Sequence, residues 1–119
     1  MNSPKTKKNS SKGAAANPLL EANKMLGQAE LNRKTGGLNK ALSQCWTILK
    51  NHPDYVGALH TIGLIFADLG DMKSAAQNLG YAAALNPSNT DIQLALSSIY
   101  NELGAKEAAR NVLESLVNQ

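Results

Sequence analysis

Gly36, Gly70 and Gly104 stand 34 residues apart. The same interval separates Ala41, Ala75 and Ala109, and again Cys45, Leu79 and Leu113. Pro53 and Pro87 share it, as do Phe66 and Tyr100. One period running through several independent columns means a chain of stacked copies of one supersecondary unit, each burying its apolar face against its neighbours. The units are about 22–55, 56–89 and 90–119.

Each unit has the same internal logic. An apolar-periodic helix of roughly 13 residues is closed by its Gly, because a left-handed C-cap is nearly free of strain only for glycine. A second helix carrying the small Ala follows. Composition agrees: Ala and Leu supply 17 residues each and aromatics only 5, a balance that favours helix over strand. Asn51-His52-Pro53-Asp54 and Asn86-Pro87-Ser88-Asn89 then break the chain. Asp54 and Asn89 are expected to cap the next helix through their side chains. Asn17-Pro18 is expected to do this for the first helix, with Pro18 in the first turn.

This pattern resembles the tetratricopeptide repeat, a helix–turn–helix unit of about 34 residues. The middle unit matches best, through Leu59-x-x-Ile62-Gly63-x-x-Phe66, Ala75-x-x-x-Leu79 and Pro87. The third matches through Leu96, Tyr100, Gly104, Ala109 and Leu113, and departs at Gln93 and Ser97. The first matches through Met25, Ala29, Gly36, Ala41, Cys45 and Pro53. It places Gln28 and Asn32 where apolar residues are usual, so a one-residue slip of the first helix, absorbed at Gly36-Gly37, is a second reading. The resemblance implies an all-α, right-handed superhelix of three antiparallel helix pairs, about six helices in all. Ala29 and Gly63 are expected to face Ala41 and Ala75, because small side chains let two helices approach to the near end of the ~8–10 Å range.

The charge surplus of +3 lies outside the repeats. Lys5, Lys7, Lys8 and Lys12 occupy the first 17 residues with no acid, and the remaining 102 carry 8 basic and 9 acidic side chains, a sum of −1. That segment lacks the apolar content to offset its ordering entropy and is expected to be a disordered basic tail, with the repeat domain at 18–119. It has no 7–15-residue apolar stretch of a signal peptide. No run in the chain approaches the ~18 apolar residues of a membrane span. A cytoplasmic protein is expected, and weak nucleic-acid binding through the lysines is the least favoured function.

Signs of catalysis are missing from the sequence. Neither G-x-x-x-x-G-K-[ST] nor G-x-G-x-x-G occurs. His52 and His60 have no Cys or second His at ligand spacing, so no metal or other cofactor is expected. Cys45 falls in a core column and reads as a buried, inert thiol. Trp46, the sole Trp, is expected to pack between helices. The carboxylates are scattered singly. The chain is read as a non-enzyme.

The resemblance further implies that the first helix of each unit lines a concave groove for an extended peptide or a single helix. Carried over by repeat alignment, the first unit offers Asn23, Leu26, Gly27, Glu30, Arg33 and Lys34. The second offers Gly57, His60, Thr61, Leu64, Ala67 and Asp68. The third offers Asp91, Leu94, Ala95, Ser98, Asn101 and Glu102. One subgroup of the family grips chaperone C-terminal carboxylates with Lys, Arg and Asn. Here those places hold mostly Leu26, Glu30, Thr61, Asp91 and Ala95, which are apolar, acceptor-only or, for Thr61, a single neutral hydroxyl, so the cationic and amide donors that clamp requires are missing. A protein partner with apolar anchors and modest positive charge is expected instead.

Ala105, Ala108, Ala109, Val112, Leu113, Leu116 and Val117 span about half the circumference of the last helix. Self-association through that helix is one expectation. The other is that these units form the non-catalytic front part of a larger enzyme, such as a bacterial sulfotransferase or glycosyltransferase.

Overall fold

The computed structural model describes residues 17–118. The expected basic tail therefore lies outside the described residues, Asn17 excepted. Six helices follow one another: α1 (Leu20–Lys34), α2 (Leu38–Asn51), α3 (Val56–Asp68), α4 (Met72–Leu85), α5 (Thr90–Glu102) and α6 (Lys106–Val117). The described residues contain no strand.

The three repeating glycines perform the same backbone task. Gly36, Gly70 and Gly104 have φ of 91°, 85° and 79°, and no other described residue has positive φ. Each sits in a Schellman motif. The amides of Gly37, Asp71 and Ala105 donate to the carbonyls of Asn32, Phe66 and Tyr100 at 2.7, 2.9 and 2.8 Å. The glycine amides donate to Arg33, Ala67 and Asn101 at 3.3, 3.0 and 3.0 Å. Three identical caps in step fix the register of α1, so the one-residue slip does not occur.

A Cβ at Gly70 would meet nothing within 4 Å, so its cost is purely conformational. Gly70→Ala is expected to lose about 1–2 kcal/mol and Gly70→Asn less, read as the order of their thermal midpoints. Equal midpoints for Ala and Gly would refute the role given to the left-handed cap.

The N-terminal caps only partly follow expectation. Asn89 caps α5, its Oδ1 accepting from the Ile92 amide at 3.1 Å. Asp54 does not cap α3. The cap residue is Tyr55, whose side chain makes no capping bond, and Asp54 Oδ1 instead accepts from the Tyr81 hydroxyl at 2.7 Å. The period itself gives the reason, since Tyr55 is the repeat equivalent of Asn89. Asn17 Oδ1 accepts from the Leu19 amide at 3.0 Å, just ahead of α1, and Leu19 holds the cap position. Asp71 caps α4 by accepting from the Ser74 amide at 3.1 Å; the Ser74 hydroxyl, donating to Asp71 Oδ2 at 2.8 Å, and then that amide hold its carboxyl below the ordinary value.

Packing is local. The pairs α1–α2, α3–α4 and α5–α6 form hairpins, and α3 and α5 then lie on the preceding α2 and α4. First helices of adjacent units also touch, α1 with α3 and α3 with α5. Each element contacts only near neighbours in sequence, which is the architecture of a solenoid. Ala29, Ala41 and Ala75 are fully buried, as expected. Ser97 occupies the third place of the Ala29/Gly63 column and donates through Oγ to the Ala109 carbonyl at 3.4 Å. Gln93 is buried too, its Nε2 donating to the Pro87 carbonyl at 3.0 Å. The polar departures of the third unit are thus bonded, as buried polar groups must be.

Unit one solves the same problem differently. Asn32 Nδ2 donates to Gln44 Oε1 at 2.8 Å, and Gln44 Nε2 donates to Gln28 Oε1 at 3.4 Å. This amide chain stands where later units put Ile62 and Phe66, or Leu96 and Tyr100.

Candidate functional site

The first helices form one layer, and a recess of about 240 Å³ opens in it between α1 and α3. Its lining is Glu30, Arg33 and Lys34 from α1 with His60, Thr61 and Leu64 from α3. All six were singled out from the sequence by the repeat columns. In a helix, residues three and four apart share a face, so the columns 26/60/94, 30/64/98 and 33/67/101 must run across successive first helices once the repeat register is fixed.

The side chains differ in how free they are. Arg33 is tied to Asp68 in a bidentate pair, Nε to Oδ2 at 2.7 Å and Nη2 to Oδ1 at 3.3 Å. These two expected groove charges therefore compensate each other across the unit boundary. Thr61 is buried and forms wall rather than exposed hydroxyl. Leu26 packs on the core of the first two units, its Cδ2 filling the space in front of Gly57. The Tyr55 hydroxyl donates to Asn23 Oδ1, tying the end of unit one, just ahead of α3, back to α1.

What remains accessible is apolar and polar, with more acidic than basic groups. Leu64 is half-buried in the recess, and Leu94 on α5 is 49% exposed. Glu30 and Lys34 are exposed, as are Asp91, Ser98, Asn101 and Glu102 on α5. Asp91 joins the recess electrically. Burial pushes the His60 imidazole below its ordinary value; the charges of Asp91 and Glu30 pull it back up, and Arg33 adds to the lowering. No described contact draws Ser98, Asn101 or Glu102 into the recess itself.

Cys45 is fully buried, and burial, followed by the Glu30 charge, pushes its thiol up to about 12. It stays protonated at neutral pH and is a poor nucleophile. Trp46 departs from expectation. It is 48% exposed on the outer side of α2, above a shallow surface shared with Asn39, Leu42, Ser43, Thr47 and Lys50. Its repeat equivalents are Gly80 and Glu114, not a core column, and that was the signal missed. Among the described residues no three His, Cys, Asp or Glu gather to hold a metal, and no helix is long and apolar enough to cross a membrane.

A tetratricopeptide repeat family model matches residues 66–119. Over 67 residues the chain is 31% identical to the human General transcription factor 3C polypeptide 3, a stretch covering 56% of this chain and 8% of that protein. Among solved structures, a MamA mutant superposes with a TM-score of 0.71 at 14% identity, covering 83% of this chain and 72% of that one. An O-GlcNAc transferase mutant from Thermobaculum terrenum superposes with a TM-score of 0.73 at 24% identity, covering 96% of this chain and 20% of that one. At these identities the structures establish the fold: an all-α solenoid of tetratricopeptide type.

Proposed function

We infer that a chain built of tetratricopeptide repeats, as this one is, works as a protein-interaction scaffold that holds a peptide or single helix of a partner along the layer of α1, α3 and α5. The observation that carries this reading is the recess between α1 and α3. Its floor offers Leu64, and Leu94 continues the apolar line on the next first helix. With Arg33 and Asp68 neutralising each other, the exposed charges around that line are Glu30, Lys34, Asp91 and Glu102. That balance suits a segment with apolar anchors and a Lys or Arg. Rim charges of this kind set register and encounter rate more than affinity, and the apolar anchors supply most of the binding energy. The role needs no cofactor and no catalytic residue, and it fits a cytoplasmic protein.

The test is Leu64→Glu, with Leu94→Glu as an independent second lesion, in an assay with a partner captured by the natural chain. Each change is expected to weaken binding by at least ~10-fold, about 1.4 kcal/mol, with circular dichroism unchanged. Unaltered affinity in both folded variants would overturn the groove assignment.

A second reading has one observation in its favour. The O-GlcNAc transferase structure superposes over nearly all of this chain but a fifth of its own length. These repeats then serve as the substrate- or partner-holding region of a larger enzyme, with the chemistry elsewhere. Sequencing the natural transcript across the codon for Gln119 decides between the two.

A further inference from the structure

The outer face of α6 carries a surface that the repeat itself identifies as an interface. Cys45 and Leu79 are fully buried, whereas their equivalent Leu113 is 38% exposed. Ala83 is 8% exposed and its equivalent Val117 is 81% exposed. The difference follows from the fold: α3 lies on α2 and α5 lies on α4, whereas α6 packs on α5 and no following helix among the described residues lies on its outer side. Leu113 and Val117, with Arg110, Glu114 and Asn118, enclose a shallow groove of about 210 Å³. It continues the seam by which α4 holds α5.

We propose that a second copy of this chain covers the groove, its α6 lying antiparallel on the first about a two-fold axis. Charge complementarity selects this occupant. On the exposed face, Lys106, Glu107 and Arg110, together net positive, lie in the N-terminal half of α6, and Leu113, Glu114 and Val117 in the C-terminal half. An antiparallel pair sets each half against the other. Arg110 of one copy then reaches Glu114 of the other, twice by symmetry, and the stems of Lys106 and Arg110 cover Leu113 and Val117. The basic half also meets the negative end of the facing helix dipole. Among the described residues of one copy Arg110 pairs with Glu107, at 3.7 Å with both side chains largely exposed, an ion pair weak enough to be exchanged.

The other arrangement of two copies, head to tail, is opposed by the first unit. Where α3 presents Ala58 and Ile62 to the preceding helix, and α5 presents Ile92 and Leu96, α1 has Lys24 and Gln28. Only Leu31 keeps the apolar character of Ile65 and Ile99. Stacking α1 on α6 would bury the Lys24 ammonium against leucine without a partner, beside the polar Gln28. Association therefore closes at two copies and does not grow into a filament.

Light scattering on the full chain across a concentration series tests this. The expected result is a monomer–dimer equilibrium with no larger species. Val117→Asp, at a position too exposed to affect folding, is expected to raise the dimer dissociation constant at least ~10-fold with an unchanged melting curve. Arg110→Glu and Glu114→Arg each weaken the dimer, and the double variant recovers most of the loss. Several results would overturn the proposal: a monomer at every concentration, a ladder of higher species, or a double variant as weak as its parents. So would a chain that stays monomeric yet binds a synthetic peptide of the α5 sequence Thr90–Glu102, since the groove would then belong to a foreign helix.

Discussion

Ala75→Asp is expected to leave the protein without a cooperative melting transition near the wild-type midpoint. Ala75 is fully buried on α4 where that helix meets α3 at Gly63. The Ala75 carbonyl oxygen lies 3.3 Å from where a Cβ on Gly63 would stand, so the two helices are in close contact there, and Ala75 itself is wholly shielded from solvent. Burying an unpaired charge costs several kcal/mol, beyond the ~4 kcal/mol that marks the exceptional tail of single substitutions. Total stabilities of ~5–15 kcal/mol leave little after such a loss. The middle unit is also the one that both others lean on, so opening α3–α4 leaves α2 and α5 with only their own hairpin partners. A circular-dichroism melt with an unshifted midpoint would refute the packing account of the whole repeat.

The features that carried the fold into the sequence are those where backbone geometry or volume admits few residues. A left-handed cap selects Gly36, Gly70 and Gly104, and a close helix pair selects Ala29, Gly63, Ala41 and Ala75. Such demands recur with the unit and are legible as columns. Features tied to one unit were less so. Asp71 caps α4, yet its equivalents are Gly37 and Ala105, so no column announced it. Asp54 looked like a cap by residue type, and its place one residue ahead of the Asn89 equivalent frees it to bind Tyr81.

The recess shows the same division. Which residues share a face followed from helical spacing and the period. Which of them are free did not, because that depends on reach between units. Arg33 and Asp68 lie 35 residues apart and belong to no common column, but one turn of solenoid brings their side chains together. The amide chain of Gln28, Asn32 and Gln44 was equally hidden. Each residue alone reads as a departure from an apolar site, and only together do they satisfy one another.

Gly63→Val is expected to cost about 3 kcal/mol, from a volume conflict that the other two units resolve in their own ways. A Cβ at this position would stand 2.6 Å from Leu79 Cγ and 2.9 Å from its Cδ2. The obstructing atom is the branch point of a fully buried side chain, which cannot swing aside. Unit one accommodates Ala29 opposite the smaller Cys45. Unit three accommodates Ser97 opposite Leu113, which has solvent to move into. Glycine is therefore required at 63 because leucine stands at 79, and the two effects are coupled. Gly63→Ala alone loses stability even though alanine gains about 1 kcal/mol in helix propensity. Combined with Leu79→Cys, which recreates the pairing of unit one, it is expected to be far less harmful than the sum of the separate changes. Gly27→Ala and Gly80→Ala supply the contrast. Both glycines are helical and have nothing within 4 Å of an added Cβ, so each substitution is expected to raise stability by roughly 0.5–1 kcal/mol. Urea midpoints of the six variants, the Leu79→Cys single among them, decide the matter. If Gly63→Ala and Gly27→Ala shift stability in the same direction, the close approach of α3 to α4 is not what holds glycine at position 63.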